Sequence, residues 1–278
     1  MRIEYEDNEI IVVYKEAGLP VQSGRTSGRD LVSVLKNHLA QESRSAGQAP
    51  DPRQAVRGAE PYLGIVHRLD QPVEGLLVFA KTPGAAAHLS RQAAAKGSAD
   101  PDRQEAAKGS SSPGRQAAVK GNAGPGRQAG AKKGKKEVPA MEKIYRAVVL
   151  LDREAYPLAL EGRKREILLT DWILRDYSGN TAMVVEEGVR DAKKAQLYFR
   201  TLEMKDGRAM VEIRLLTGRH HQIRVQMAHA HMPLAGDRKY GGGAGEDGRL
   251  CLCAARLCFT HPGSGRRMEF TVTPGFSL

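Results

Sequence analysis

A twelve-residue repeat interrupts this chain between residues 91 and 136. Arg-Gln recurs at positions 91, 103, 115 and 127, and the segment holds one large aliphatic residue, Val119, and no aromatic residue. Such a segment cannot bury enough apolar surface to offset the entropy lost on ordering. Pro and Gly close two of the repeats and would break a helix there. We therefore predict that residues 91–138 form a disordered insertion and that the folded core is built from the rest of the chain.

Most of the net charge of +11 belongs to the same segment. Residues 91–136 contain eleven Lys and Arg against three acidic residues, which leaves only +3 for all other residues together. The basic character is thus a property of the insertion. A solvated linker is the simpler interpretation, and loose attraction to RNA phosphates is the alternative.

Residues 41–61 have a similar linker-like composition and contain a partial copy of the repeat at 53–58. Without both segments 209 residues remain, a normal size for one domain with a single core. We therefore expect 1–278 to be a single domain with two interruptions.

Several classes of protein are excluded by the composition. The chain has no apolar run of about 18 residues and so no expected membrane span. Its charged first nine residues do not resemble a secretory signal, and three cysteines cannot form a disulfide framework. We expect a cytoplasmic protein that is a monomer.

The core sequence favours strands over helices. Short apolar runs predict strands at 10–14, 75–80, 144–151 and 268–272, and Asp-Gly at 206–207 predicts a hairpin between 195–204 and 209–217. Helical spacing of apolar residues predicts helices at 30–39 and 220–231. Strands in neighbouring hairpins favour an α+β fold with a largely antiparallel sheet over a doubly wound one.

Charged and polar residues interrupt apolar structure in three places. These are His67-Arg68-Leu69-Asp70 ahead of a buried strand, Lys143-Ile144-Tyr145, and the segment 217–224, TGRHHQIR. An Asp beside an Arg can be a surface ion pair. Alternatively, it marks a charged group at the edge of a cleft, with the donors of 217–224 favouring an anion nearby.

In their order along the chain, these segments resemble the RluA family of RNA pseudouridine synthases. The family pattern is similar to HRLD at 67–70, Lys-x-Tyr at 143–145, Gly-Arg-x-His-Gln-Ile-Arg at 218–224 and Pro-Leu-x-Gly-Asp at 233–237. The resemblance implies a mixed, largely antiparallel sheet with flanking helices and a central RNA-binding cleft. It covers the catalytic domain from residue 1, so we expect no N-terminal RNA-binding domain.

The resemblance also implies roles for individual residues. Asp70 corresponds to the catalytic aspartate, Tyr145 to the tyrosine that stacks on the target base and can serve as a base, and Arg224 to the residue that pairs with the aspartate. Arg68 corresponds to a residue that helps displace the target nucleotide. The remaining substrate-binding residues implied are His67, Arg219, His221 and Gln222, with His221 as a hydrogen-bonding residue.

The implied reaction is isomerisation of uridine to pseudouridine in structured RNA. The uridine is flipped out of its stack, its glycosidic bond is broken, and the uracil is rejoined through carbon 5. The carboxylate either attacks covalently or removes a sugar proton. The resemblance favours ribosomal over transfer RNA and implies no metal and no cofactor.

Three other interpretations compete with this one. A catalytically idle RNA-binding module would be expected to have lost Asp70 or Tyr145, and both are present. An aspartate-dependent hydrolase would need a phosphate-binding glycine loop or paired carboxylates. Cys251, Cys253, Cys258 and His261 could bind zinc, but their spacing is unusual for a structural zinc site and buried thiols are the simpler interpretation.

Overall fold

The computed structural model describes residues 1–23, 29–45, 60–95, 139–243 and 248–278. Most of the predicted insertion at 91–138 and most of the predicted linker at 41–61 lie outside these ranges. Within the described ranges, none of the helices is long and apolar enough to cross a membrane.

The described ranges contain eleven strands and four helices. In chain order they are β1 (Arg2–Glu6), β2 (Ile10–Lys15), α1 (Leu31–Ser45), β3 (Gly64–Ile65), β4 (Glu74–Ala80), α2 (Pro83–Ala94), β5 (Glu142–Leu150), α3 (Ala155–Lys164), β6 (Ile167–Asp176), β7 (Thr181–Val185), β8 (Lys193–Lys205), β9 (Arg208–Leu215), α4 (Gln222–His229), β10 (Leu252–Thr260) and β11 (Arg267–Thr271).

All eleven strands join one mixed sheet. Its main order is β1-β2-β4-β10-β5-β9-β8-β6-β7, with β3 paired to β4 and β11 paired to β10. Only the β4–β10 pair is parallel. This sheet with its flanking helices confirms the predicted α+β class.

Both faces of the sheet are buried near β2 and β4. Side chains alternate along a strand, so Ile11 and Val13 belong to one apolar cluster while Ile10 and Val12 belong to another. Helix α1 covers the first cluster and α2 covers the second. Strands buried on both sides read as continuous apolar runs, which explains the sequence of β2 and β4.

The parallel β4–β10 contact depends on Gly75. Gly75 has φ +121°, and a Cβ atom placed there would lie 2.5 Å from the backbone N and O of Ala254. Only glycine permits both this backbone conformation and this close approach. Strand β10 also pairs with β5. The contact therefore connects β4, which follows Asp70, through β10 to β5, which carries Tyr145.

The structure corrects the start of both predicted interruptions. Helix α1 continues to Ser45, past the predicted linker start at 41, and α2 continues to Ala94, past the predicted insertion start at 91. In α2, the buried Gln92 side chain donates to Thr260 O at 2.6 Å and accepts from Thr260 N at 2.7 Å. The prediction that the first repeat belongs to the insertion rests on composition alone. Its Ala residues nevertheless favour a helix, and Gln92 is hydrogen-bonded to Thr260 on β10.

Candidate active site

A cleft of about 1460 Å³ lies where the loop before β4, strand β5 and the start of α4 meet. All eight residues that the sequence analysis assigned to the site line this cleft: His67, Arg68, Asp70, Tyr145, Arg219, His221, Gln222 and Arg224. Its other cationic lining residues are Lys143, Arg175, Arg214, Arg256 and Arg267, whereas Asp70 and Glu142 are its acidic ones. The cleft therefore favours a polyanion, with one carboxylate at its centre.

The carboxylate of Asp70 is held at the end of a tight turn. Val73 N donates to Asp70 O at 3.0 Å, which fixes the backbone ahead of β4. The Asp70 Oδ2 atom lies 3.4 Å from His221 Nε2 and 3.6 Å from Arg224 Nη1, and the side chain is 30% exposed to the cleft. Asp70 thus lies close to two side chains that can stabilise its charge, yet it remains open to a substrate.

The main partner of Arg224 is Asp237, which the sequence analysis did not assign to the site. Arg224 Nε donates to Asp237 Oδ2 at 2.8 Å and Nη2 donates to Oδ1 at 2.7 Å, and both residues are buried. This bidentate pair leaves only Nη1 directed towards Asp70. The predicted Arg224–Asp70 pairing is therefore a longer, secondary contact. The bidentate bond to Asp237 holds the Arg224 guanidinium in position for it.

His221 connects Asp70 to the rest of the site. It precedes α4 with a left-handed φ of +52°, and its Nδ1 lies 2.8 Å from Tyr240 Oη. Ala182 N donates to the same Oη at 2.8 Å, so the hydroxyl proton of Tyr240 is available for His221 Nδ1. Burial lowers the pKa of His221 to about 4, against the opposing charge of Asp70 and with the charge of Arg224 adding to the effect of burial. We assign a neutral ring whose Nε2–H faces Asp70.

Tyr145 lies on β5 and forms a buried wall of the cleft. Burial, together with the nearby charge of Asp70, raises the pKa of its phenol well above the ordinary value. The side chain is therefore a neutral phenol at neutral pH. This state suits an aromatic surface that stacks on a base, and a role as base would require its proton to leave during the reaction.

His67 packs against the sheet. Its Nε2 accepts a hydrogen bond from Val78 N at 3.3 Å, while its Nδ1 is buried without a partner in the described part of the chain. Burial, followed by the charge of Lys143, lowers the pKa of His67 to about 3. A neutral ring is required, because the ring nitrogen that accepts from β4 cannot carry a proton.

The pKa of His67 leads to a prediction about stability at acidic pH. The folded pKa of about 3 is below the ordinary 6.5, so unfolding takes up a proton as the pH falls through this range. The contribution of His67 to stability is therefore fully present above pH 6.5 and is lost as the pH falls towards 3. In His67→Gln, which keeps an acceptor for β4, urea denaturation across this range should show a pH slope smaller by about one proton. An unchanged slope would contradict a neutral His67 in the folded protein.

Two of the predicted site residues, Gln222 and Arg219, make structural contacts within the protein. The Gln222 amide accepts from Thr217 Oγ1 and Arg219 N, at 2.8 and 2.9 Å, and donates to Gln196 O and Gln226 Oε1. Arg219 Nε donates to Lys194 O at 3.0 Å. We therefore assign Gln222 to positioning the start of α4, whereas Arg68 is exposed at the cleft.

Lys15 supports the Asp70 loop from inside the protein, and sequence reasoning did not assign it to the site. Its fully buried Nζ donates to the backbone oxygens of Glu16, Leu19 and Gln71 at 2.8–3.0 Å. Burial lowers its pKa to about 8. A lysine at the end of the apolar strand β2 is the available signal, because a buried ammonium needs dedicated acceptors.

The alternative zinc site does not match the contacts of His261. Its Nε2 lies 2.7 Å from Asp7 Oδ2, and its Nδ1 accepts from the backbone N of Gly263 and Ser264. Both ring nitrogens are therefore engaged within the protein. Through its contact with Asp7, His261 links the turn after β10 to the loop after β1.

The sequence of this chain is similar to a known protein family. A family model described as RNA pseudouridylate synthase matches residues 9–100 and 129–229. Ribosomal large subunit pseudouridine synthase D of Zymomonas mobilis is 27% identical over 97% of this chain and 68% of its own length. The protein of the same name from Neisseria meningitidis serogroup A is 30% identical over 96% of this chain and 56% of its own length. The chain thus spans roughly half to two thirds of such relatives.

Solved structures agree on the fold. The human RNA pseudouridylate synthase domain containing 4 superposes with a TM-score of 0.59 at 18% identity, covering 98% of this chain and 88% of the human one. The human RNA pseudouridylate synthase domain containing 1 gives 0.54 at 18% identity, covering 99% and 84%. The residues that match the family model include most of the described sheet and most of the cleft lining. The chain therefore belongs to the RNA pseudouridylate synthase family.

Proposed function

We propose that this protein isomerises uridine to pseudouridine in structured RNA, with ribosomal RNA favoured over transfer RNA. The observation that carries the proposal is the Asp70 carboxylate, held by His221 and Arg224 opposite a neutral Tyr145 in a cationic cleft. The names of the bacterial relatives support ribosomal RNA as the substrate. We further propose that the enzyme acts as a monomer in the cytoplasm and requires no cofactor.

The cleft supplies what a flipped nucleotide needs. A uridine inside a helix is accessible to Asp70 only after it leaves the stack, and the displaced base is then stabilised by an aromatic surface. Tyr145 provides that surface, and Arg68 is exposed where it can occupy the vacated position. The remaining cationic residues of the lining bind the phosphates on either side.

Asp70 starts the chemistry at the sugar of the flipped nucleotide. Its carboxylate either attacks carbon 1′ as the glycosidic bond breaks or removes a sugar proton, and the uracil leaves with the bonding electron pair on N1. The uracil then rotates and bonds to carbon 1′ through carbon 5, which displaces the carboxylate on the first route and is accompanied by return of the sugar proton on the second. Loss of the proton from carbon 5 and protonation of N1 complete the isomerisation. His221 Nε2–H and Arg224 Nη1 stabilise the negative charge of the carboxylate before and after this step. Both routes return the carboxylate to its starting state.

Mapping of pseudouridines in total RNA tests the proposal. Cells that lack the gene should lose pseudouridine at one or a few positions, and wild-type protein supplied in trans should restore them. A map identical with and without the gene, combined with RNA binding by the purified protein, would instead identify an idle RNA-binding module.

Tyr145 variants separate stacking from the hydroxyl group. Tyr145→Phe keeps the ring, whereas Tyr145→Ala removes a base-stacking surface worth about 1–3 kcal/mol. We expect Tyr145→Ala to weaken RNA affinity about tenfold or more and to lower turnover. Tyr145→Phe should retain the affinity, so any fall in its turnover measures the contribution of the hydroxyl. Filter binding and single-turnover assays on a mapped substrate report the two effects. Wild-type turnover by Tyr145→Ala would contradict the site geometry.

We propose that the basic insertion increases the rate at which RNA is captured. Gln92 has structural contacts, so only residues 96–138 should be replaced by a short Gly/Ser linker. The free energy of unfolding should change by less than about 1 kcal/mol. RNA binding should weaken more at low than at high salt, and the turnover at saturating RNA should be unchanged. Equal loss of affinity at every salt concentration would contradict this role.

A further inference from the structure

The hairpin formed by β6 and β7 presents an aromatic side chain beside the cleft. Tyr177, at its tip, is 80% exposed, the highest value among the large apolar and aromatic side chains of the described residues. The guanidinium carbon of Arg175 lies 4.6 Å from the centre of the Tyr177 ring. Arg175 and Asn180 from the same hairpin line the cleft that contains Asp70.

The tip of this hairpin is held by its own hydrogen bonds. The Asp176 carboxylate accepts from Ser178 N at 2.9 Å, Ser178 Oγ at 2.6 Å and Gly179 N at 3.2 Å. These bonds, the Ser178 hydroxyl first, lower the pKa of Asp176. These bonds order the exposed turn that carries Tyr177, so part of the entropy of ordering this segment is lost before any ligand binds.

Contacts also fix the hairpin relative to the catalytic carboxylate. Lys239 Nζ donates to Asn180 O at 2.8 Å, and Ala182 N donates to Tyr240 Oη, which bonds to His221. His221 in turn faces Asp70. The Tyr177–Arg175 pair therefore belongs to a hairpin that is hydrogen-bonded to the wall of the active site.

We propose that Tyr177 and Arg175 form a stacking platform for an unpaired nucleobase that neighbours the target uridine. Arg175 covers one side of the ring, and the exposure of Tyr177 leaves the other side open to a base. In the described part of the chain no carboxylate pairs with Arg175, so its guanidinium can also meet the adjoining phosphate. Aromatic stacking with an arginine is a general way to hold single-stranded nucleic acid.

This inference rests on the proposed function, because it identifies where RNA next to the reacting uridine is held. It also explains why an aromatic residue is exposed at this position. A base stacked on Tyr177 would reduce the mobility of the strand at the mouth of the cleft and so favour entry of the adjacent uridine.

The test uses the full chain and a short single-stranded RNA with one uridine flanked by 2-aminopurine, whose fluorescence is quenched on stacking. Tyr177→Ala should lose most of the quenching and bind the probe about tenfold more weakly, whereas Tyr177→Phe should behave as wild type. The matched control is Tyr156→Ala, which removes a half-exposed tyrosine of α3 that does not line the cleft. It should also behave as wild type.

A second readout separates this platform from the proposed function. On ribosomal RNA that the wild type modifies, Tyr177→Ala should raise KM about tenfold with kcat nearly unchanged. An active wild type with equal KM and quenching in Tyr177→Ala and Tyr156→Ala would overturn the platform alone, as would a wild type that does not quench the probe. A wild type that forms no pseudouridine would overturn the proposed function.

Discussion

Asp70→Asn should lower the rate of isomerisation by at least about a thousandfold and change RNA affinity by less than about twofold. The amide has the shape of the carboxylate but is a poor nucleophile and a poor base, so either proposed route fails at its first step. The contacts of the Asp70 carboxylate with His221 and Arg224, at 3.4 and 3.6 Å, are not hydrogen bonds, and the Val73 N–H to Asp70 O bond that holds the loop is unaffected by the substitution. Single-turnover formation of pseudouridine and equilibrium binding to the same RNA measure the two effects.

Asp152→Asn is the matched control for this substitution. Asp152 is an exposed aspartate before α3 whose carboxylate accepts from backbone N–H groups, and it does not line the cleft. It should retain wild-type turnover. If Asp70→Asn turns over within tenfold of wild type, the catalytic role of Asp70 is wrong. If it loses RNA affinity to the same extent as turnover, the carboxylate acts in binding instead.

The sequence predicted which residues meet in the cleft and that Arg224 pairs with Asp70, but it did not predict that the main partner of Arg224 is Asp237. Asp70, Tyr145 and Arg224 could be located because each lies in a short motif whose order along the chain matches the family. Asp237 also lies in such a motif, but its bidentate bond to Arg224 depends on the orientation of α4 against the following turn. Contacts between segments that are far apart in the sequence depend on how the chain packs, so a single sequence does not predict them.

The missed elements have a similar cause. The β6–β7 hairpin has only short apolar runs of three or four residues, and most of its side chains alternate between partial burial and exposure at the sheet edge. Its turn at 177–180 includes Ser-Gly-Asn, which is a usable signal. The prediction relied on buried strands with strong apolar runs, so it recovered the centre of the sheet and omitted the edge that carries Tyr177.

Arg224→Ala should both destabilise the fold and abolish isomerisation. It leaves Asp237, which is 1% exposed, as a buried carboxylate without its partner, and removal of one member of such a pair costs about 3–5 kcal/mol. It also removes the Nη1 donor 3.6 Å from Asp70. Urea denaturation measures the first effect, and single-turnover kinetics on protein that remains folded at low temperature measures the second.

A double variant separates the structural role of Arg224 from its electrostatic one. Arg224→Met combined with Asp237→Leu removes both buried charges, and apolar replacement of such a pair is often neutral or stabilising. Its stability should therefore recover by at least about 2 kcal/mol relative to Arg224→Ala, while isomerisation stays at least about a hundredfold below wild type. Recovery of activity together with stability would show that Arg224 serves only to hold α4 in place. Activity that remains lost in a stable protein would show that the Asp70 carboxylate needs the Arg224 charge beside it.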